Sequence, residues 1–398
     1  MPNIEWSPVN LPASNDSVLE KVNLGSHYVE LDGLRGIAIL LVLIWHYIPG
    51  QVITQPGTWP SYVMRLLSFA WEGVDIFFVL SGFLVGGMLI KCRDEKQRTS
   101  GVLVRRFFRI VPLYFFSLIL FLIVLEVVPP VSESTWLLDQ PIPTWSFILF
   151  LQNYLMAISG SHGANWLGIT WSLALEIQFY LFLAILISLC PTDRLFRVLL
   201  GLIFFSLVAR VGFAVQGPAG AFIGFLSLPT RMDSVLTGVV ALLVLKDHSW
   251  LDRIKESSRV VLVFILTSYT IVVLLCAFGE GIASTGMSLV GHFLVAIATA
   301  LLIVLLLSQS DGVCRKFFRQ KALVFLGSVS YGVYLIHQPI AGLIYLEFRN
   351  KAPSIELAQD ASLTLLCLVV TLVLAQLSLK YFESPMIAKT NIAFSRSC

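Results

Sequence analysis

His46 stands in the apolar run IAILLVLIWHYIPG, eleven residues after Arg35. An imidazole is neutral near pH 7 and can take a proton from a hydroxyl, or carry an acyl group as a nucleophile. Asp75 and Glu176 are carboxylates inside two further apolar runs, where each can orient such a histidine or bind hydroxyls. These three are the catalytic candidates. Arg210, Arg231, Asp233 and His337 are four more ionisable groups in apolar surroundings, and are candidates for binding a polar substrate. Ionisable side chains are costly in a bilayer and usually face a functional cavity. The bland alternatives are definite: a lone histidine can hydrogen-bond a carbonyl, and Asp75 or Glu176 can pair with Arg210 or Arg231 to lock helices together. A different chemistry marks RRFFRIVPLY, residues 105–114. Arg106 and Arg109 are three residues apart on one helical face, and guanidinium forks suit phosphate oxygens. With Arg35 they are the anion-binding candidates. Their bland reading is a basic anchor at the inner membrane face.

The elements that must position these groups follow from composition. Of 398 residues, 57% are hydrophobic and only 13% charged, with a mean hydropathy of +0.84. Soluble domains carry about 25% charged residues. That argues against a water-soluble enzyme, a disordered chain or a nucleic-acid binder. The six cysteines (92, 190, 276, 314, 367 and 398) form no CxxC. No zinc site or disulfide framework is expected, and no metal. GxSxG, HExxH, GxxxxGK[ST] and GxGxxG are all absent.

The sequence therefore predicts an all-α polytopic membrane protein. It would be a bundle of about ten transmembrane helices plus one interfacial or re-entrant helix, with both termini cytoplasmic. Spans are expected near 36–50, 70–90, 110–128, 171–190, 197–215, 231–246, 260–279, 286–308, 322–346 and 361–380, since about 20 apolar residues cross a bilayer. Residues 146–158 are too short to cross and are read as the interfacial or re-entrant helix. This topology puts 22 of the 27 basic residues in inner segments, and only Arg65, Arg349 and Lys351 in outer ones, as the positive-inside rule requires. The domain reading is a cytoplasmic segment 1–30, a transmembrane domain 31–385 and a cytoplasmic tail 386–398. Gly82 and Gly86 form a GxxxG, most simply a close helix contact. Seven tryptophans (45, 59, 71, 136, 145, 166 and 171) fall toward the outer face, as an interfacial belt or as platforms for sugar rings. At 1.5 Å per residue, His46 lies roughly 16 Å above the inner boundary. The other buried charges share its middle-to-outer depth, which one outward-opening cavity explains.

Six stretches together resemble the acyltransferase 3 family of integral-membrane acyltransferases. They are YVELDGLRGIAILLVLIWHY (28–47), GVDIFFVLSGFL (73–84), RRFFRIVPLY (105–114), TWSLALEIQFY (170–180), FLGSVSYGVYLIHQP (325–339) and YFESP (381–385). The resemblance implies transfer of an acyl group, commonly acetyl, from cytoplasmic acyl-CoA to a hydroxyl, often on carbohydrate beyond the membrane. It implies a multi-pass protein of the bacterial inner membrane. The family's Arg-x10-His signature falls on Arg35 and His46, with the histidine catalytic. Its Arg-x-x-Arg signature falls on Arg106 and Arg109, implying acyl-CoA contact. Its acid after WSL falls on Glu176, but Ile177 stands where a second acid or glutamine is usual, so only the first acid carries over. His46 as general base and His46 as acyl carrier both remain open. The rival readings are a secondary transporter of a small polar solute, which ten spans with buried charges would suit, and acylation of a secondary metabolite. No half-to-half similarity supports the transporter.

Overall fold

Inside lipid, apolar side chains gain little by meeting one another, because the acyl chains are as apolar as they are. Helices associate there through close packing at small residues and through polar contacts. The computed structural model describes residues 28–93, 96–128, 134–279, 284–308 and 312–395. Most of the expected segment 1–30, the end of the expected tail 386–398 and residues 129–133 lie outside the described residues. Among the described residues the regular structure is helical, with no strand and one isolated bridge between Val52 and Ile355.

Among the described residues, ten long helices make the bundle. They are α1 (Val29–Tyr47), α2 (Gly73–Lys91), α3 (Lys96–Val127), α4 (Trp171–Leu189), α5 (Thr192–Ala214), α6 (Leu228–Lys246), α7 (Ser258–Phe278), α8 (His292–Ser308), α9 (Lys321–Arg349) and α10 (Ala358–Ser378). Nine helical segments among the described residues are long and apolar enough to cross a membrane, and each coincides with an expected span. The protein is thus read as a multi-pass membrane protein. The remaining expected span, 36–50, falls on α1, which carries Glu30, Asp32 and Arg35 in its first two turns and is not among the nine.

Two glycine seams hold the helices that matter for the site. A Cβ on Gly36 of α1 would stand 2.0 Å from the Leu323 carbonyl oxygen of α9, and one on Gly327 would stand 1.9 Å from that of Asp32. No larger residue fits, so α1 and α9 run backbone against backbone. The GxxxG of α2 makes the second seam, against α6: a Cβ on Gly82 would meet the Val235 carbonyl oxygen at 1.9 Å.

Residues 146–158 form two short helices, Thr144–Ile148 and Gln152–Ser159, broken at Phe150, whose φ is +55°. Broken backbone is tolerated at membrane depth only where protein satisfies its polar groups. Here Gln178 of α4 does so, its Nε2 donating to the Phe150 carbonyl at 2.8 Å and to Asn153 Oδ1 at 2.9 Å. Tyr114 of α3 donates its hydroxyl to the Phe147 carbonyl at 2.8 Å.

Candidate active site

The α1–α9 seam brings His46 against two consecutive residues of α9. Gln338 Nε2 lies 2.5 Å from His46 Nδ1, and the His337 ring centroid lies 4.9 Å from that of His46. Pro339 sits inside α9 and has no N–H to give the Leu335 carbonyl four residues back. The His337 carbonyl also turns to a side chain, accepting the Tyr47 hydroxyl at 3.0 Å. His337 is fully buried. Its Nδ1 faces the Tyr334 carbonyl at 2.7 Å and that of Val333 at 3.1 Å, while its Nε2 has no partner.

His46 opens onto a cavity of about 220 Å³ walled by Trp45, Trp71, Trp136, Trp171, His162, Asn165, Gln51 and Gln338. Trp71 and Trp171 lie parallel, 6.1 Å apart, and Trp45 stands edge-on to Trp71 at 5.5 Å. Four of the seven tryptophans singled out in the sequence are therefore cavity wall. Trp59 and Trp145 are largely exposed, as a belt requires, and Trp166 is buried with its Nε1 donating to Ser117 Oγ at 3.2 Å. His162 lies in the loop before α4, where burial pushes its imidazole down to about 4.

A second, smaller cavity of about 80 Å³ brings together Arg35, Arg106, Arg109, Ser81, Glu176 and Tyr180. Arg35 Nη1 pairs with Asp32 Oδ1 at 3.0 Å. Glu176 accepts the Ser81 hydroxyl at 2.9 Å and also the Tyr180 hydroxyl. Val74 and Tyr334 line both cavities. The Tyr334 hydroxyl is fixed between the Ile169 carbonyl at 2.9 Å and Ser172 Oγ at 2.5 Å. The three arginines singled out in sequence thus converge on one cavity. Glu176 joins them rather than His46.

The remaining charged candidates are elsewhere. Arg231 Nη2 pairs with Asp75 Oδ2 at 2.6 Å, and Arg210 holds Asp233 through two bonds of 2.8 and 3.1 Å. Ser234 donates to Asp75 Oδ1 at 2.8 Å, and Arg210 also caps the Ser288 carbonyl at 2.8 Å. His292 Nδ1 stands 3.0 Å from Glu72 Oε1. All of these side chains are buried, and none lines either cavity. They tie α2, α5, α6 and α8 together. Ligand atoms of Glu72, Asp75 and His292 lie within 4.8 Å of one another, as a metal would need. The two Asp75 oxygens are already taken by Arg231 and Ser234, so ion pairing accounts for Asp75. Glu72, His292, Gln338, Tyr334 and Tyr180 were not singled out in sequence. Glu72 lies three residues before Asp75 and Gln338 directly after His337, so neighbours of flagged residues were the available signal.

A helical bundle with an arginine-lined cavity beside a histidine-lined one offers an anion site next to a proton acceptor, which a group-transfer protein needs. The sequence model of the acyltransferase 3 family, described as an acyltransferase domain, matches residues 28–379, and the chain belongs to that family. It is 25% identical over 377 residues to the peptidoglycan O-acetyltransferase OatA of Listeria monocytogenes, covering 89% of this chain and 55% of that protein. It is 24% identical over 391 residues to the O-acetyltransferase OatA of Staphylococcus aureus, covering 95% of this chain and 60% of that one. The chain thus spans little more than half the length of the curated relatives it matches. No solved structure matches it.

Proposed function

We propose that the protein is an O-acyltransferase of the bacterial inner membrane. It would move an acetyl group from cytoplasmic acetyl-CoA to a hydroxyl of a carbohydrate or glycoconjugate on the outer side. The observation that carries this reading is that two chemically different cavities lie side by side, sharing Val74 and Tyr334 as wall. The arginine cavity suits an anionic donor, because guanidinium forks bind phosphate oxygens as charge-assisted pairs. The histidine cavity suits a sugar, because indole faces pack on apolar sugar faces while Asn165, Gln51 and His162 offer hydrogen bonds to hydroxyls. The names of the relatives, one of them a peptidoglycan O-acetyltransferase, support an O-linked acetyl acceptor.

In this reading the donor's thioester reaches the junction of the cavities from the arginine side. His46 takes the proton of the acceptor hydroxyl as general base. The oxygen forms the new ester bond to the acyl carbon, the carbon–sulfur bond breaks, and the thiolate leaves with the proton as the CoA thiol. Arg35, Arg106 and Arg109 would hold the donor, with Glu176 keeping their cavity polar through Ser81 and Tyr180. Asp75, Arg210, Arg231 and Asp233 would frame the site without touching substrate.

The test is transfer of labelled acetyl from acetyl-CoA by the purified protein in bilayer discs, to acceptor or to water. His46→Ala should lower the rate by about 10²–10⁴, the usual contribution of one general base, while the melting temperature stays that of the wild type. A variant as active as the wild type would refute the reading.

A further inference from the structure

A histidine that acts as a base at one ring nitrogen needs a group at the other to hold the correct tautomer and ring orientation. A carboxylate commonly fills that place. Both carboxylates suggested for it by the sequence are engaged elsewhere: Glu176 lines the arginine cavity, and Asp75 is paired with Arg231. Among the described residues, no Asp, Glu, Lys or Arg lines the cavity of His46. The side chain that does reach the His46 ring is Gln338, 2.5 Å from Nδ1 and itself buried.

We infer that Gln338 is the positioning residue of His46, and that its amide decides which ring nitrogen meets the acceptor with a free lone pair. The inference rests on the reading of His46 as the base. An amide has two ends of opposite character. With its nitrogen toward Nδ1, as the structure has it, the amide donates, Nδ1 accepts, and Nε2 carries the proton; His46 then has no lone pair for the acceptor. Turned by half a rotation about its last bond, the amide offers its oxygen. Nδ1–H then donates to that oxygen, and Nε2 is the base. One side chain thereby holds a resting and a working tautomer. The neighbouring His337 lacks that choice, because its Nδ1 faces only backbone carbonyls, which accept and never donate.

Besides this contact, other titratable groups stand around His46 and act on it. From α9 they are His337 and Tyr334, from α1 Tyr47, and from the loop before α4 His162. Burial pushes His162 down to about 4, so it carries no charge near pH 7.

Two variants test the inference. In Gln338→Glu a carboxylate can only accept, so it fixes Nδ1–H, leaves Nε2 bare and favours the charged imidazolium. In Gln338→Leu the contact is gone. Protein labelled with 15N-histidine is titrated by NMR in bilayer discs, with the His46 signals assigned by their loss in His46→Ala. Acetyl-CoA turnover is followed across pH 5–9 on the same samples. The expected result is a His46 midpoint raised by about 1–3 units in Gln338→Glu, the shift an opposite charge gives at contact. The acid limb of kcat/KM should move with it, and kcat above that limb should exceed that of Gln338→Leu. Gln338→Leu should lower kcat at least about tenfold with the donor KM unchanged, since a wrong tautomer alone can cost up to about 10⁴. A midpoint that stays put in Gln338→Glu overturns the inference, as does a folded but inactive Gln338→Glu or a fully active Gln338→Leu. Should His46→Ala retain full turnover, the general-base reading falls instead, and the NMR midpoint still decides whether Gln338 sets the His46 tautomer.

Discussion

The two sides of the bundle treat intramembrane charge in opposite ways. Between α2, α5, α6 and α8, Asp75, Arg231, Arg210 and Asp233 are closed against one another, their side chains no more than 3% exposed. Between α1, α3, α4 and α9, Arg35, Arg106, Arg109 and Glu176 share an open cavity, and the Arg35 side chain keeps 18% of its surface despite its pair with Asp32. His46 likewise opens onto a cavity and has an amide, not a charge, as its neighbour. A charge in a membrane has two ways to lower its desolvation cost, an opposite charge or water. The first fixes the charge against a partner and leaves structure, although Arg231 keeps Nε and Nη1 without a hydrogen bond; the second leaves the group available for chemistry. Buried charge is thus a stronger clue to function where it lines a cavity.

Breaking the closed side should produce the largest change. Arg231→Leu leaves Asp75 buried without its guanidinium partner, and loss of one member of such a pair costs about 3–5 kcal/mol. We expect a sharply lower melting temperature in detergent for this variant. The double variant Asp75→Leu with Arg231→Leu should recover much of the loss, because no lone charge remains. A single variant that melts like the wild type would mean the network is not what ties α2 to α6. On the open side the same kind of substitution should spare stability and change binding. Arg106→Ala should raise the KM for acetyl-CoA by roughly 10- to 150-fold, the equivalent of about 1.5–3 kcal/mol for a charge-assisted hydrogen bond. Lysine at this position should rescue only in part, since it supplies charge without the fork. An unchanged CoA affinity by calorimetry would make Arg106 a topology signal alone. The smallest effect belongs to the tryptophan wall. Trp136→Ala should raise the KM for a sugar acceptor a few-fold, at about 0.5–1.5 kcal/mol for a ring contact, and leave the donor KM alone. Trp145→Ala, on a residue that is 51% exposed, should change neither constant. Equal effects in the two would return all the tryptophans to the interfacial belt.

The sequence by itself determined the helices and the family. The nine segments that, among the described residues, are long and apolar enough to cross follow from apolar runs interrupted by few charges. Residues 146–158 were legible as too short to cross, and Gly82 and Gly86 as a close contact, although not that Val235 of α6 lies against them. Arg35, Arg106 and Arg109 stood out because basic residues at helical spacing are a local pattern, and the structure gathers all three in one cavity. Partnership was not legible. Asp75 lies 156 positions from Arg231, and His46 lies 292 from Gln338. Glu176 and Asp75 looked alike as lone acids in apolar runs, and only the packing of α2 against α6 and of α3 against α4 sends one to a guanidinium and the other to an open cavity. The identity of a side chain fixes what it can bond. What it does bond depends on helix rotation and crossing, which the glycine seams settle at atomic contact distance and which no local pattern in the chain records.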